Sequence, residues 1–513
     1  HVLGAIPIVL SHRVAGRKAE YSRTMSAVLD AYLHDQMYHG MSSLEVVLRE
    51  NGYARPMLLV HNTSGMAQMN STHALQTIHS GPVAGLEATS YLSAQFKEPN
   101  VIATDMGGTS FDIGLVTADG VKFYDFNPVI DRWLVSTPMT YLHTLGAGGG
   151  SIARYDRLWE AVEVGPESAG SDPGPACYGR GGKLPTTTDA NLVLGYLDPD
   201  NYAGGTIKVN MRRAERAIEE HIAKPTRMSM IEAAKAVKRK VDANMASAIF
   251  KEVAVKGYNP KNFVILSYGG GGPIHACGYA SKIGISRILI PPFSSVFSAL
   301  GAGNMDQLHI HEKSLYLMLY DATKRHVLDD YTTINETIDE LEGRGREDLV
   351  RQGADPADIR MRVEFDMRYG NQLAQIGIAS PINRVNEPQD IITLLDIFSE
   401  NYAQRFGEGS QAPEAGVRIN VIRVIAYVEH ERLNLERSHN SIDDKPVPRT
   451  SRECHFPDLE APVMTPVFDV DAVKDGMKIA GPALIETPRT TYLVEPGWSL
   501  TMGLMGSAMM VKD

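Results

Sequence analysis

The stretch from Ile102 to Val116 constrains this chain most. Apolar residues lead into and out of Asp105-Met106-Gly107-Gly108-Thr109-Ser110-Phe111-Asp112, so the pattern predicts strand, tight turn, strand. Gly107 and Gly108 let the backbone come close to a ligand and turn its N–H groups inward. The hydroxyls of Thr109 and Ser110 add donors. Asp105 and Asp112 can hold a divalent cation or orient an attacking oxygen. Such a hairpin suits a nucleotide phosphate. A lone Gly-Gly turn is more often a solvated hairpin; two acids, two hydroxyls and two glycines together reverse that preference.

Two further glycine runs strengthen the reading. Gly146 and Gly148, Gly149 and Gly150 crowd one short turn, an entropic cost that demands close approach of a ligand or a neighbouring backbone. The ligand is the favoured reading. Phe263–Tyr268 predicts a buried strand, followed by Gly269, Gly270, Gly271 and Gly272 and then a helix. That layout brings a nucleotide against bare backbone and a helix N-terminus. No Gly-Lys-Ser/Thr follows, so it is not a Walker loop. His275 reads as structural or ligand-facing rather than as a base. Ser80-Gly81-Pro82-Val83-Ala84-Gly85 opens a helix toward Phe96.

The bulk numbers set limits. A chain of 513 residues has room for about two to four domains. A net charge of −11 argues against a general nucleic-acid binder. No apolar run reaches membrane-spanning length. Cys177, Cys277 and Cys454 are far apart and lack metal spacing, which points to a reduced, cytoplasmic setting. Cys177 reads as a packed residue. His1–Leu10 reads as a buried strand entered mid-domain, the pattern of a processed, truncated or split chain.

Helices are expected at 21–38, 41–51, 211–223 and 229–256, the last with a core-facing apolar stripe. Residues 164–187 read as an ordered loop before a capped helix starting at Thr188. After Gly303 the composition shifts. Residues 331–353 and 391–406 read as helices, and 417–430 as a long strand. Met361–Tyr369 alternates as a strand with one wet face, pairing with 373–378. A turn and strand are expected at 120–124, an exposed loop at 433–460, and short strands at 467–498. This second part, 304–513, reads as α+β and lacks a glycine-rich nucleotide loop.

Three glycine turns, one with paired acids, resemble the actin-like, ribonuclease H-like ATPase plan. More specifically, the chain resembles the hydantoinase/oxoprolinase family. The matching stretches include Ser80–Gly85, Asp105–Asp112, Gly146–Ala153, Val164–Gly182, Thr188–Pro199, Gly269–Ala276, Phe297–Gly301, Gly481–Glu486 and Val494–Trp498. Ser267–Gly270 and Leu194–Asn201 look most like the ATP-using subunit of acetone and acetophenone carboxylases.

The resemblance implies an ATPase core over 1–303 and a C-terminal α+β domain over 304–513. It implies ATP with Mg²⁺ or Mn²⁺, both held around Asp105 and Asp112. Gly107, Gly108, Thr109 and Ser110 would cradle phosphates, Gly269 to Gly272 would lie along the adenosine, and Gly148 to Gly150 would face the cleft. The implied activity is ATP-dependent carboxylation of a ketone, completed with bicarbonate in a hydantoinase B-like partner subunit. The alternatives are a hydantoin- or 5-oxoproline-type cyclic amide hydrolase subunit, or a non-catalytic scaffold subunit. The family's earlier Asp-Gly-Gly-Thr hairpin is not found in this sequence. The resemblance therefore places half of the phosphate clamp on a missing segment or another subunit.

Overall fold

In the computed structural model the described residues are 8–118, 124–372, 375–432 and 446–513. The elements that matter run α1 (Glu20–Glu50), α2 (Ser80–Phe96), β1 (Val101–Met106), β2 (Phe111–Val116), α3 (Thr187–Val193), α4 (Met230–Val255), β3 (Val264–Tyr268), α5 (Gly272–Ile283), β4 (Gln307–Asp321), α6 (Thr332–Arg351), β5 (Arg360–Tyr369) and β6 (Val417–Val428).

The chain forms two compact units. The first takes His1–Ala84, Phe123–Tyr141 and Asn304–Arg432; the second takes Gly85–Lys122, Leu142–Gly303 and Leu433–Asp513. The step from 303 to 304 is a crossing between units, yet residues after 432 pack with the glycine turns.

The second unit is built on an eight-stranded mixed sheet. β3 runs parallel to both β1 and the strand Arg287–Ile290, and β1 turns back antiparallel into β2. Helix α5 makes the crossover from β3 to Arg287–Ile290, the connection a parallel pair requires. Ala508–Lys512 and Trp498–Met502 extend the sheet beyond Arg287–Ile290. Leu86, Ala88 and Leu92 of α2 pack on Val101, Ala103, Val264 and Leu266. Helix α4 buries Val237, Val241, Met245 and Val253, as its apolar stripe predicts.

The first unit is built on a seven-stranded sheet with β4, β6 and β5 adjacent. Ile334, Ile338 and Leu341 of α6 and Phe398 and Tyr402 of the helix Pro388–Phe406 cover one face against Val363, Phe365 and Met367. The other face of β5 is wet at Arg360 and Arg362, as the alternation predicts, but turns inward at Asp366. Asp366 and Arg423 are 1% and 2% exposed. Arg17 and Arg423 pair with Glu312, Asp366 and Glu364 there, and both guanidinium groups stack on the Phe126 ring. Charges can occupy an interior face when every one is paired, and periodicity alone cannot foresee the partners.

Other expectations change. The two helices expected at 21–38 and 41–51 are one, continuous through Gly40, where nothing stands near the missing Cβ. Residues 8–10 form no strand, and 1–7 lie outside the described residues. Residues 120–123 of the expected turn and strand at 120–124, the start of the hairpin partner at 373–374, and 433–445 also lie outside them. Within the expected loop at 433–460, Thr450–Cys454 is a strand paired with Val463–Asp469. Its buried Cys454 and Phe456 explain why a polar segment holds a fixed course.

Candidate active site

The predicted hairpin forms in register, with Asp105 directly opposite Asp112 and Met106 opposite Phe111. Opposite residues of an antiparallel pair project on the same face. Asp105 shares the face of Val101 and Ala103, which pack on α2. Thr104 takes the other face, where its hydroxyl meets Tyr279 of α5 at 3.0 Å. Burial, and then the neighbouring Asp112 charge, push the Asp105 carboxyl up to about 7. Asp112 instead accepts from the hydroxyls of Ser110 (3.1 Å) and Thr144 (2.6 Å). Ser110 therefore serves a carboxylate, while Gly108 and Thr109 form the exposed tip.

The second glycine turn lies on the first. Gly149 donates to the Gly107 carbonyl at 3.0 Å and Gly150 to the Gly108 carbonyl at 2.6 Å. A Cβ on Gly148 would stand 2.6 Å from both Gly108 C and Thr109 N. Close approach of a neighbouring backbone thus accounts for Gly148, where the sequence favoured a ligand. Gly107 and Gly108 have nothing within 4 Å of a would-be Cβ, so their bareness leaves room for another molecule.

The third run sits at the carboxyl end of β3, beside the end of β1. Gly269 takes φ +82°, and a Cβ there would strike Asp105 Oδ1 and the Met106 carbonyl. Gly271 donates to that carbonyl at 3.0 Å and precedes the first turn of α5. Gly85 has a packing reason too: a Cβ would stand 2.5 Å from the Tyr268 hydroxyl.

These turns meet. A cavity of ≈ 270 Å³ within the second unit is lined by Gly107, Gly108, Gly149, Gly150, Gly270 and Gly271. The start of α3 (Thr188, Asn191), Tyr178 and Tyr202, and the turn Glu486–Thr491 close its other sides. Asp105, Asp112, Thr109, Ser110, Gly148, Gly269 and Gly272 do not line it. The two carboxylates project from the face of the hairpin opposite to Met106, which does.

Sequence reasoning missed the residues that hold these walls. Asp189, fully buried, accepts from the N–H groups of Ala176, Cys177 and Thr186 and from the Thr186 hydroxyl. One carboxylate thereby fixes the loop before α3, and the signal is the Thr186-x-x-Asp189 capping box. Under the glycine loop, His275 Nδ1 meets Asp242 Oδ1 at 2.6 Å, and Asp242 meets Lys238 at 2.5 Å. His275 Nε2 lies 3.0 Å from Asn191 Nδ2. Burial holds His275 below its ordinary value, and Lys238 and His275 hold Asp242 down against its own burial. His275 is thus a buried strut between α4 and α5. Cys177 is a buried thiol pushed up by burial, as a packed residue should be.

The hydantoinase/oxoprolinase model matches residues 23–311, and that family's C-terminal domain matches 321–504. The chain belongs to the hydantoinase/oxoprolinase family. It is similar to the acetophenone carboxylase gamma subunit of Aromatoleum aromaticum, 37% identical over 510 residues, covering 99% of this chain and 69% of that protein. It is also similar to a chain of nucleotide-free acetone carboxylase, with TM-score 0.80 and 26% identity over 98% of this chain and 71% of that one. The ATP-dependent caprolactamase from Pseudomonas jessenii gives TM-score 0.84 and 29% identity over 100% of this chain and 74% of that one. Among the described residues of this hydantoinase/oxoprolinase-family chain, no helix is long and apolar enough to cross a membrane.

Proposed function

We propose that this chain is the ATP-using subunit of an ATP-dependent ketone carboxylase of the acetophenone or acetone type. The observation that carries the reading is the meeting of three glycine turns around one cavity, in a chain 37% identical to an acetophenone carboxylase subunit. Backbone without side chains on several sides, with the N-terminus of α5 beside it, fits a polyphosphate and its nucleoside. The parallel strands β1 and β3 ending at these turns suit an actin-like ATPase core. The family's two models meet between 311 and 321, near the expected boundary at 303, but the compact units interleave across it.

ATP would supply a phosphoryl group to an enolate oxygen or to bicarbonate, with ADP leaving. The protein's part is placement and charge neutralisation. Gly107 and Gly108 would lie along the phosphates, and Gly270 and Gly271 along the adenosine. Two facing carboxylates suit Mg²⁺ or Mn²⁺, which would hold both ionised; because they lie on the hairpin face away from the cavity, the cation would meet the nucleotide only past the exposed tip at Gly108 and Thr109. Asp112, oriented by Ser110 and Thr144, would fix the cation, and Asp105 would share it or orient the attacking oxygen. A hydantoinase B-like partner subunit would complete carboxylation.

The likeness to caprolactamase favours a second reading, ATP-dependent opening of a cyclic amide. The test is ADP formation by the assembled complex with acetophenone, acetone, hydantoin, 5-oxoproline or caprolactam, each with and without bicarbonate. Turnover that needs both ketone and bicarbonate supports the carboxylase. Turnover on a cyclic amide selects the second reading. No turnover, with no nucleotide binding by calorimetry, leaves a scaffold subunit.

A further inference from the structure

A second cluster lies in the first unit, apart from every glycine turn. His309 and His311 stand two residues apart on β4, so both rings project on one face of the sheet. That face is covered by α6, whose last turn carries Asp348. A Cβ on Gly345 would stand 2.5 Å from the Ala426 Cβ of β6, so glycine there lets the helix end sit down on the strands. His309, His311 and Asp348 each offer a ligand atom, and these atoms lie within 4.8 Å of one another.

We infer that His309, His311 and Asp348 bind one divalent transition-metal ion, with Zn²⁺ the best match. Two imidazoles and one carboxylate are the borderline donor set such ions prefer, whereas Mg²⁺ and Ca²⁺ take oxygen. Three protein ligands leave a position for water or a small anion. The alternative is a plain ion pair. His311 Nε2 lies 3.1 Å from Asp348 Oδ2, a contact too poorly aligned to satisfy that buried nitrogen as a well-formed hydrogen bond would. A metal ion would satisfy that nitrogen and the carboxylate together. The negative end of α6 also favours a cation beside its last turn.

The surroundings hold the His309 ring in place. Gln352, one turn after Asp348, places its side-chain nitrogen 2.6 Å from His309 Nε2 and 3.0 Å from the Asp348 carbonyl, while its oxygen accepts from Gln68 N–H. This fixes the His309 ring, and because the amide donates to Nε2, a metal ion would take that nitrogen in place of Gln352. His61, close by, is committed to Thr72 through Nε2 at 2.9 Å.

The test is calorimetric titration of the full chain, stripped with chelator, with Zn²⁺, alongside the visible spectrum after Co²⁺ loading. One equivalent should bind, with d–d bands of a low-coordinate site. His311→Ala and Asp348→Asn should each weaken binding about 10- to 100-fold or more. Both side chains are partly exposed, so these variants should melt within a few degrees of the parent without metal. Gln352→Ala frees the His309 nitrogen, so it should leave binding equal or tighter and change the Co²⁺ bands, which a merely structural contact would not do. Binding weaker than about 1 mM, or tight binding unchanged in both His311→Ala and Asp348→Asn, would overturn the assignment.

Discussion

Asp105 sets stability against use within a single side chain. Burial and Asp112 raise its folded value to about 7, above the ordinary carboxylate range. A raised folded value means the neutral acid is the favoured form, so ionising it costs stability as pH climbs from about 4 to 7. Asp105→Asn keeps the shape and removes that cost. Without ligands, its melting temperature at pH 8 should equal or exceed the parent's by scanning calorimetry. ATP turnover of the assembled complex should fall about 100-fold or more. A variant that turns over ATP normally would take Asp105 out of the mechanism.

His275 gives the opposite sign. Its folded value is lowered by burial, with Lys238 adding to the effect and Asp242 opposing it. The unfolded chain then takes up a proton near pH 6.5 that the folded chain refuses. Stability from this group is present above that pH and lost as pH falls below it. Asp242, also lowered, adds a loss only at more acid pH, and Glu495, raised by burial, offsets part of that. The melting temperature should drop between pH 7 and 5, and His275→Gln should flatten that drop. An equal slope in the variant would assign the acid lability elsewhere.

At the scale of the element, the glycine turns divide by what stands beside each missing side chain. Gly148→Ala drives a methyl into the main chain of Gly108 and Thr109, which cannot swing aside. It should cost about 1–3 kcal/mol in denaturant unfolding. Gly107→Ala meets nothing and has no left-handed φ, so stability should hold within about 0.5 kcal/mol. If Gly107 is bare for a nucleotide, calorimetry should show weakened ATP binding all the same. Stable variants with unchanged affinity would make the turn ordinary. The sequence exposed these turns and the strands around them because glycine and apolar runs act locally. It could not say which glycine faces a neighbour and which faces open space, because turns more than thirty residues apart had first to meet.

At the scale of the molecule, chain order and packing part company. Strands 498–502 and 508–512 complete the sheet beyond Arg287–Ile290, and β4 carries the partner of Met66–Gln68. A fragment of residues 1–303 would expose both edges. It should fail to show cooperative unfolding and should aggregate on size-exclusion chromatography. A monomeric fragment with a sharp transition would show that the glycine-turn unit closes without the C-terminal strands.

The sequence by itself determined the hairpin with its paired carboxylates, the strand–glycine–helix run and the capped helix at α3, since each rests on residues within a few positions of one another, and the family, since its motifs are each short local runs. Only the tertiary structure decided that the second glycine turn seats on the first, and that Lys238, Asp242 and His275 form a buried strut. It alone brought His309 and His311 to Asp348. Those contacts join residues tens of positions apart, and whether a charged or imidazole side chain is solvated, paired or a ligand depends on what the fold places opposite it.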